Sequence, residues 1–341
     1  MKLQNTRNMD GQKLIWDEHP ELWHYTTKCG LKGILRSRQL WATNFRSLND
    51  TSEVRHLMPY LKPYYLPHMK RKHGEVYEHN EDFGSSVINM GGIDKSAEHD
   101  ADAILNSQYD RTFCWMEEDG PFFTSFCSHA RADEWTRQHG LLSQWRAYAN
   151  GGYAIVLNTK GLWQLLEQEC KMYEYWIAGL EKVVYEDDTP DFESHWPDLI
   201  RIIPDALCEF FRNAGESPNL DKLHKFFARA ACTFKHQAFR EESEVRIVIM
   251  PLCRDEVPEQ RRISTRSFKD VHRRCENILY IKLFDGIDNM RLPIERIVVG
   301  PHSRQGDLRA DAHSLVAELG YDFSVECSHT PYIGPKEKQL R

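Results

Sequence analysis

No apolar run in this 341-residue chain approaches the roughly 18 residues that a bilayer-spanning helix needs, so no membrane partner is expected. Met1 to Asp10 is polar and has no apolar signal-peptide core. The nine cysteines include no Cys-x-x-Cys pair and show no regular spacing. That excludes a structural zinc motif of this type and predicts reduced thiols in a cytoplasm. No Gly-x-Gly-x-x-Gly, P-loop or Gly-x-Ser-x-Gly is present, which removes motif support for the usual nucleotide folds and for a hydrolase nucleophile elbow. His-Glu-x-x-His is missing too, and His68 and His73 are spaced wrongly to share a helix face, so no metal is expected. Internal repeats, low-complexity tracts and Gly/Ser linkers are also absent.

What remains is ordinary globular composition, 41% hydrophobic and 28% charged, in a chain long enough to bury a core. A net charge of −7 argues against a general nucleic-acid coat protein. One basic cluster stands apart: Arg254, Arg261, Arg262, Arg266, Lys269, Arg273 and Arg274. Its plain reading is a solvated loop, and its functional reading a patch for phosphates.

Hydrophobic periodicity predicts strands over 22–26, 40–43, 122–127, 153–157, 181–185, 244–250, 278–283, 294–299 and 322–326. Helices are predicted over 31–35, 141–149, 162–177 and 307–319, the last stopped by Gly320 as a left-handed C-cap. Pro59, Pro63, Pro67 and Gly91-Gly92 punctuate 60–111, which reads as an irregular or partly helical insertion. The segment 196–239 reads as helical and packed on the core, with Leu223, Phe226, Phe227, Ala230, Ala231 and Phe234 at helical spacing. Short strands with helices grouped between them predict one main α+β domain over 1–341, built on a mixed, largely antiparallel sheet.

The late strand carries the first candidate chemistry. Alternation sends Val245, Ile247 and Ile249 one way and Glu242, Glu244 and Arg246 the other. Carboxylates this close repel unless a cation intervenes. The plain reading is a surface charge ladder in which Arg246 pairs with Glu244. His24, beside Trp23 and Tyr25, is by default a satisfied core histidine. Hydroxyls in the strand 122–128 are common in any strand, and Trp145 and Tyr148 are by default core aromatics.

A series of segments nevertheless forms a recognisable order. It comprises Trp23-His24-Tyr25-Thr26, Leu40-Trp41-Ala42-Thr43, Leu48-Asn49-Asp50 with Glu53, and Thr124-Ser125-Phe126-Cys127. It continues through Trp145-x-x-Tyr148, Gly152-Tyr153-Ala154-Ile155, Val183-Val184-Tyr185, Phe234-Lys235, Glu242-x-Glu244-x-Arg246 and Ile297-Val298-Val299-Gly300. Together they resemble a bacterial domain-of-unknown-function family, number 2971 (DUF2971), over about 22–301. That family in turn resembles the ADP-ribosyltransferases, through a His in an early strand, a hydroxyl-rich middle strand and a late Glu-x-Glu strand. The resemblance implies an ADP-ribosyltransferase-like sheet core with helical insertions and NAD as substrate. It assigns Glu244 as catalytic glutamate, Glu242 as the group that positions or deprotonates the acceptor, and His24 as partner of the ADP-ribose. Tyr25, Thr43, Thr124, Ser125, Trp145 and Tyr148 would complete the NAD-contacting set. Phe239 and Arg240 would belong to an acceptor loop. The arginine-accepting transferases carry Arg where this chain has His24, and relatives with His have Tyr in the middle strand, so the pattern is mixed.

The chemistry suits such a kit. Breaking the nicotinamide–ribose bond develops an oxocarbenium-like cation, which a carboxylate held at the ribose 2′-hydroxyl favours without a metal. The expected activity is therefore NAD-consuming transfer or hydrolysis, in a role the resemblance suggests is toxin or anti-phage defence, on a protein or nucleic-acid acceptor. The alternatives are a non-catalytic binding or sensing module on the same fold, and a metal-dependent nucleic-acid-processing enzyme using Glu242 and Glu244. The reading sets one geometric condition: His24 and Glu244 must meet.

Overall fold

A computed structural model describes residues 14–48, 54–79, 81–113, 120–212, 218–251, 266–268, 278–287 and 291–332. Its strands are β1 (Glu21–Thr26), β2 (Leu40–Asn44), β3 (Phe122–Cys127), β4 (Tyr153–Asn158), β5 (Tyr175–Lys182) and β6 (Val184–Tyr185). They continue with β7 (Phe234–Lys235), β8 (Glu244–Pro251), β9 (Arg266–Phe268), β10 (Ile278–Leu283), β11 (Ile294–Val299) and β12 (Ser324–Cys327). All except β6 and β7 belong to one sheet. Every pairing in it is antiparallel except β11 with β12, which agrees with the α+β, largely antiparallel expectation.

The chain divides into two compact units. The first comprises Met1–Asn44, Phe122–Val183 and Phe239–Arg341; the second comprises Phe45–Pro121 and Val184–Ala238. The sheet lies in the first unit.

Pairing along β3 gives that sheet its fork. β8 lies beside β3 over its whole length, from Phe122↔Ile249 to Cys127↔Glu244. One edge of β3 is therefore fully used. On the other edge β1 meets only Cys127, through Trp23, and β2 meets only Phe122 and Phe123. β1 and β2 are both antiparallel to β3 and are joined by the helix Lys28–Ser37. Between them the ladder on this edge lapses at Thr124, Ser125 and Phe126.

Side-chain alternation divides the sheet into two faces. One face holds Leu22, Leu40, Ala42, Phe122, Phe126, Ile155, Val245 and Ile247, packed against Leu31 and Leu35, Leu162 and Leu166, and Ala312 and Val316 of three helices. The other holds a smaller cluster of Trp23, Tyr25, Cys127, Trp145, Ala154, Val156 and Val298. Truncating any fully buried aliphatic of the first face to alanine would cost about 2–5 kcal/mol. The helix Gln305–Glu318 ends before Gly320 at φ 66°, the left-handed stop its sequence predicts.

In the second unit 60–111, expected as an irregular or partly helical insertion, takes the helical form, as the helices Met58–Tyr77, Glu81–Asn89 and Ile93–Phe113. Pro63 and Pro67 lie inside the first of these on its exposed side, where water can satisfy the carbonyls they leave unbonded. Leu61, Tyr65, Met69 and His73 recur every fourth residue on its buried side. The region 196–239 contains the helices Pro197–Arg212 and Pro218–Ala231, then β7, which pairs in parallel with β6.

Two buried histidines fasten the β1–β3 end of the first unit. His19 Nδ1 and the Ser128 hydroxyl are 2.7 Å apart, and the His19 carbonyl accepts from the Thr159 hydroxyl. The Tyr25 hydroxyl accepts from the Leu141 amide at 2.8 Å and is hydrogen-bonded to His129 Nε2 at 3.0 Å. Desolvation lowers the pKa of each histidine from 6.5 to about 4, helped at His19 by Lys182 and at His129 by Arg296. Between those values the unfolded chain binds more protons than the folded one, so stability present above about pH 6.5 is lost as pH falls toward 4. The loss is roughly 3 kcal/mol per histidine at most. Thermal melts from pH 7.5 to 4.5 should show a falling midpoint that flattens in the His129→Gln protein; a wild-type midpoint independent of pH over this range would contradict the assignment.

Candidate functional site

The residues that sequence reasoning grouped around Glu244 separate at Ser243. Gln237–Glu242 forms a 3₁₀ turn, and β8 begins only at Glu244. Ser243 between them has φ 43°, a left-handed conformation rare for a residue with a Cβ. Its carbonyl accepts from the Ser128 amide at 3.0 Å, which anchors this turn to the end of β3. Glu242 therefore leaves the strand and does not crowd Glu244. It is half-buried, and its Oε1 accepts from the Tyr148 hydroxyl at 3.1 Å.

Glu244 has a different environment. It and Arg246 are each 2% exposed. The guanidinium donates through Nε to Oε1 at 2.9 Å and through Nη2 to Oε2 at 2.7 Å. The guanidinium carbon lies 4.6 Å from the Phe123 ring centroid. This is a buried, bidentate, charge-assisted pair stacked on an aromatic face. The Arg246–Glu244 pairing read from the sequence is present, but in the interior instead of on the surface.

His24 faces the other way. Its cross-strand partner Ile155 belongs to the large core, whereas Trp23 and Tyr25 on either side belong to the smaller cluster with Cys127. Glu244 stands opposite Cys127 in the ladder and so shares the Trp23 face. His24 and Glu244 thus project to opposite faces of the sheet, and the geometric condition is not met. At the fork, Nδ1 of His24 donates to the Ser125 carbonyl at 3.2 Å, and the ring lies 5.7 Å from that of Phe126. The imidazole thereby satisfies a carbonyl where β1 departs from β3. Desolvation lowers its pKa, opposed by the bond to Ser125. The ring is then neutral near pH 7, with Nδ1 carrying the proton and Nε2 an acceptor.

Several other expected site residues belong to the scaffold. Tyr25 is held through its hydroxyl as described above. Trp145 is fully buried, donates from Nε1 to the His139 carbonyl at 2.9 Å and meets Tyr25 edge-on at 4.8 Å. A Cβ on Gly300 would come within 2.8 Å of that indole, so the ring has no open face on this side. Thr124 is buried and its hydroxyl donates to the Trp41 carbonyl at 3.0 Å. Thr43 and Phe239 are half-buried, while Ser125, Tyr148 and Arg240 are exposed. These, with His24 and Glu242, are the members of the expected set that a ligand can reach.

Trp41 lies outside the expected set. It is 45% exposed and stacks on Tyr280 at 4.3 Å with an interplanar angle of 20°. The signal was in the alternation: Leu40 and Ala42 enter the core, so Trp41 and Thr43 must lie on the other face. The pattern 48–50 with Glu53 falls largely outside the described residues, as does the basic cluster 254–274 apart from the backbone of β9.

No group of three or more His, Cys, Asp or Glu side chains able to hold a metal occurs among the described residues, and none of their helices is long and apolar enough to cross a membrane. No curated protein and no solved structure matches the chain. Residues 144–247, from the turn before Trp145 to the middle of β8, match the model of a family described as Protein of unknown function (DUF2971).

Proposed function

We propose that this chain binds NAD at the fork between β1 and β2 and acts as a binding or sensing module. One observation carries this reading: His24 is anchored on the Ser125 carbonyl and keeps a neutral Nε2 as an acceptor at a break in the sheet. A ribose hydroxyl is a suitable donor to that nitrogen. Ser125 and the Trp41 ring project from the opposite face of the sheet and stand outside this contact. The dinucleotide itself is suggested by the resemblance to the ADP-ribosyltransferases, and the fork's chemistry is compatible with it.

The carboxylates favour binding over transfer. Glu244 has both oxygens engaged by Arg246 and would have to break a buried ion pair to reach a ribose. The same engagement withdraws it from metal-assisted nucleic-acid cleavage. A second reading, NAD-consuming ADP-ribosyl transfer in a toxin or defence factor, is favoured by Glu242, a reachable carboxylate positioned by Tyr148. On that reading the catalytic assignment moves from Glu244 to Glu242.

Calorimetric titration of the protein with NAD should give saturable binding, weakened about tenfold in His24→Ala. Absence of binding by the folded wild-type protein would dismiss both readings. Incubation with NAD and cell lysate should release no nicotinamide. Release that is lost in Glu242→Gln would replace the binding module with the transferase.

A further inference from the structure

Within the first unit, the segment that follows β12 crosses the end of the helix Glu134–His139 as a strap. Ser328 is its fixed end. The Ser328 amide donates to the Val299 carbonyl at 2.9 Å, its carbonyl accepts from Gln305 Nε2 at 2.8 Å, and its hydroxyl donates to the His139 carbonyl at 2.7 Å. The same His139 carbonyl already accepts from Trp145 Nε1. The Thr330 hydroxyl, at 3.4 Å, is therefore a weak third donor to it.

Beyond Ser328 the fastening depends on one imidazole. The His329 amide donates to His139 Nδ1 at 3.4 Å, which is possible only while Nδ1 carries no proton. The two rings lie 5.0 Å apart, at 80° to each other. From its own helix Trp135 meets the His139 ring at 4.3 Å, with the exposed Glu134 and Arg137 beside it in sequence. Trp145, which bonds the His139 carbonyl from the next turn, brings no charge. Burial, and then the charge of His329, holds the His139 pKa below its ordinary value. At the far end of the strap the Arg146 guanidinium lies 4.8 Å from the centre of the Tyr332 ring.

We propose that residues 329–332 form an acid-released latch, closed by unprotonated His139 and opened when that ring takes up a proton. Protonation turns Nδ1 from acceptor to donor against the His329 amide and sets two imidazolium charges side by side. The segment then swings about Ser328, and Tyr332 leaves Arg146. The open form binds the proton more tightly than the closed one, because closure lowers the pKa. The latch is thus closed above about pH 6.5 and opens as pH falls through the value of the closed form.

Hydrogen exchange of the full chain, with labelling times scaled for the intrinsic rate, reads the latch in the peptide spanning 328–332. Its protection should fall about fivefold between pH 7.5 and 5.0, while peptides from β4 and β11 keep theirs. His139→Asn, which offers an oxygen acceptor that does not titrate, should hold the protection at both pH values. In a histidine-selective NMR titration, His329→Ala should raise the midpoint of His139. The proposal is overturned if wild-type protection of this peptide is the same at both pH values. It is equally overturned if His139→Asn loses protection on acidification as the wild type does, or if the His139 midpoint does not move in His329→Ala.

Discussion

The constraint on which the candidate site depends is the buried ion pair between Glu244 and Arg246. Removing two charges from water costs several kcal/mol per ion, and the cost is offset only when geometry is good and the partners are fully bonded. Here the guanidinium and carboxylate meet through two hydrogen bonds, and the cation lies over Phe123. Strand alternation puts two charges on a face that is otherwise interior, so each requires the other. A carboxylate held this way is suited to fixing structure and poorly suited to meeting a substrate.

The fork is a consequence of pairing around one strand. β3 gives one edge wholly to β8 and divides the other between β1 and β2. Backbone groups in the gap must find partners outside the ladder. His24 supplies one such partner, donating to Ser125, and the Thr124 hydroxyl supplies another, donating to Trp41. A histidine that would otherwise be a core residue is thereby left with one ring nitrogen available for other chemistry. Loss of regular pairing and the presence of a candidate ligand contact have the same origin.

Much of the first unit was legible because its signals are local. Alternation located β1, β4, β8 and β11, and Gly320 marked the end of the last long helix. The default reading of Trp145 as a core aromatic agrees with its burial. Three features depend on distant pairing or local exceptions. The helix Met58–Tyr77 runs through two prolines because both lie on its solvent side, while Leu61, Tyr65 and Met69 hold the other. Glu242 and Glu244 look like neighbours on one face, but the left-handed Ser243 separates them. The opposite facing of His24 and Glu244 follows only from knowing that Trp23 stands beside Cys127, a register no single segment encodes.

The central claim, that Glu244 is committed to Arg246 as structure, is tested most directly by a denaturant double-mutant cycle with Glu244→Gln, Arg246→Met and the combined variant. Each single change should lower stability by about 3 kcal/mol or more, because it leaves the partner charge buried without its counterion. The combined variant should lose less than the sum of the two, with a coupling of about 2 kcal/mol or more. A Glu244→Gln protein as stable as the wild type, with coupling near zero, would contradict the account and return Glu244 to the candidate catalytic residues.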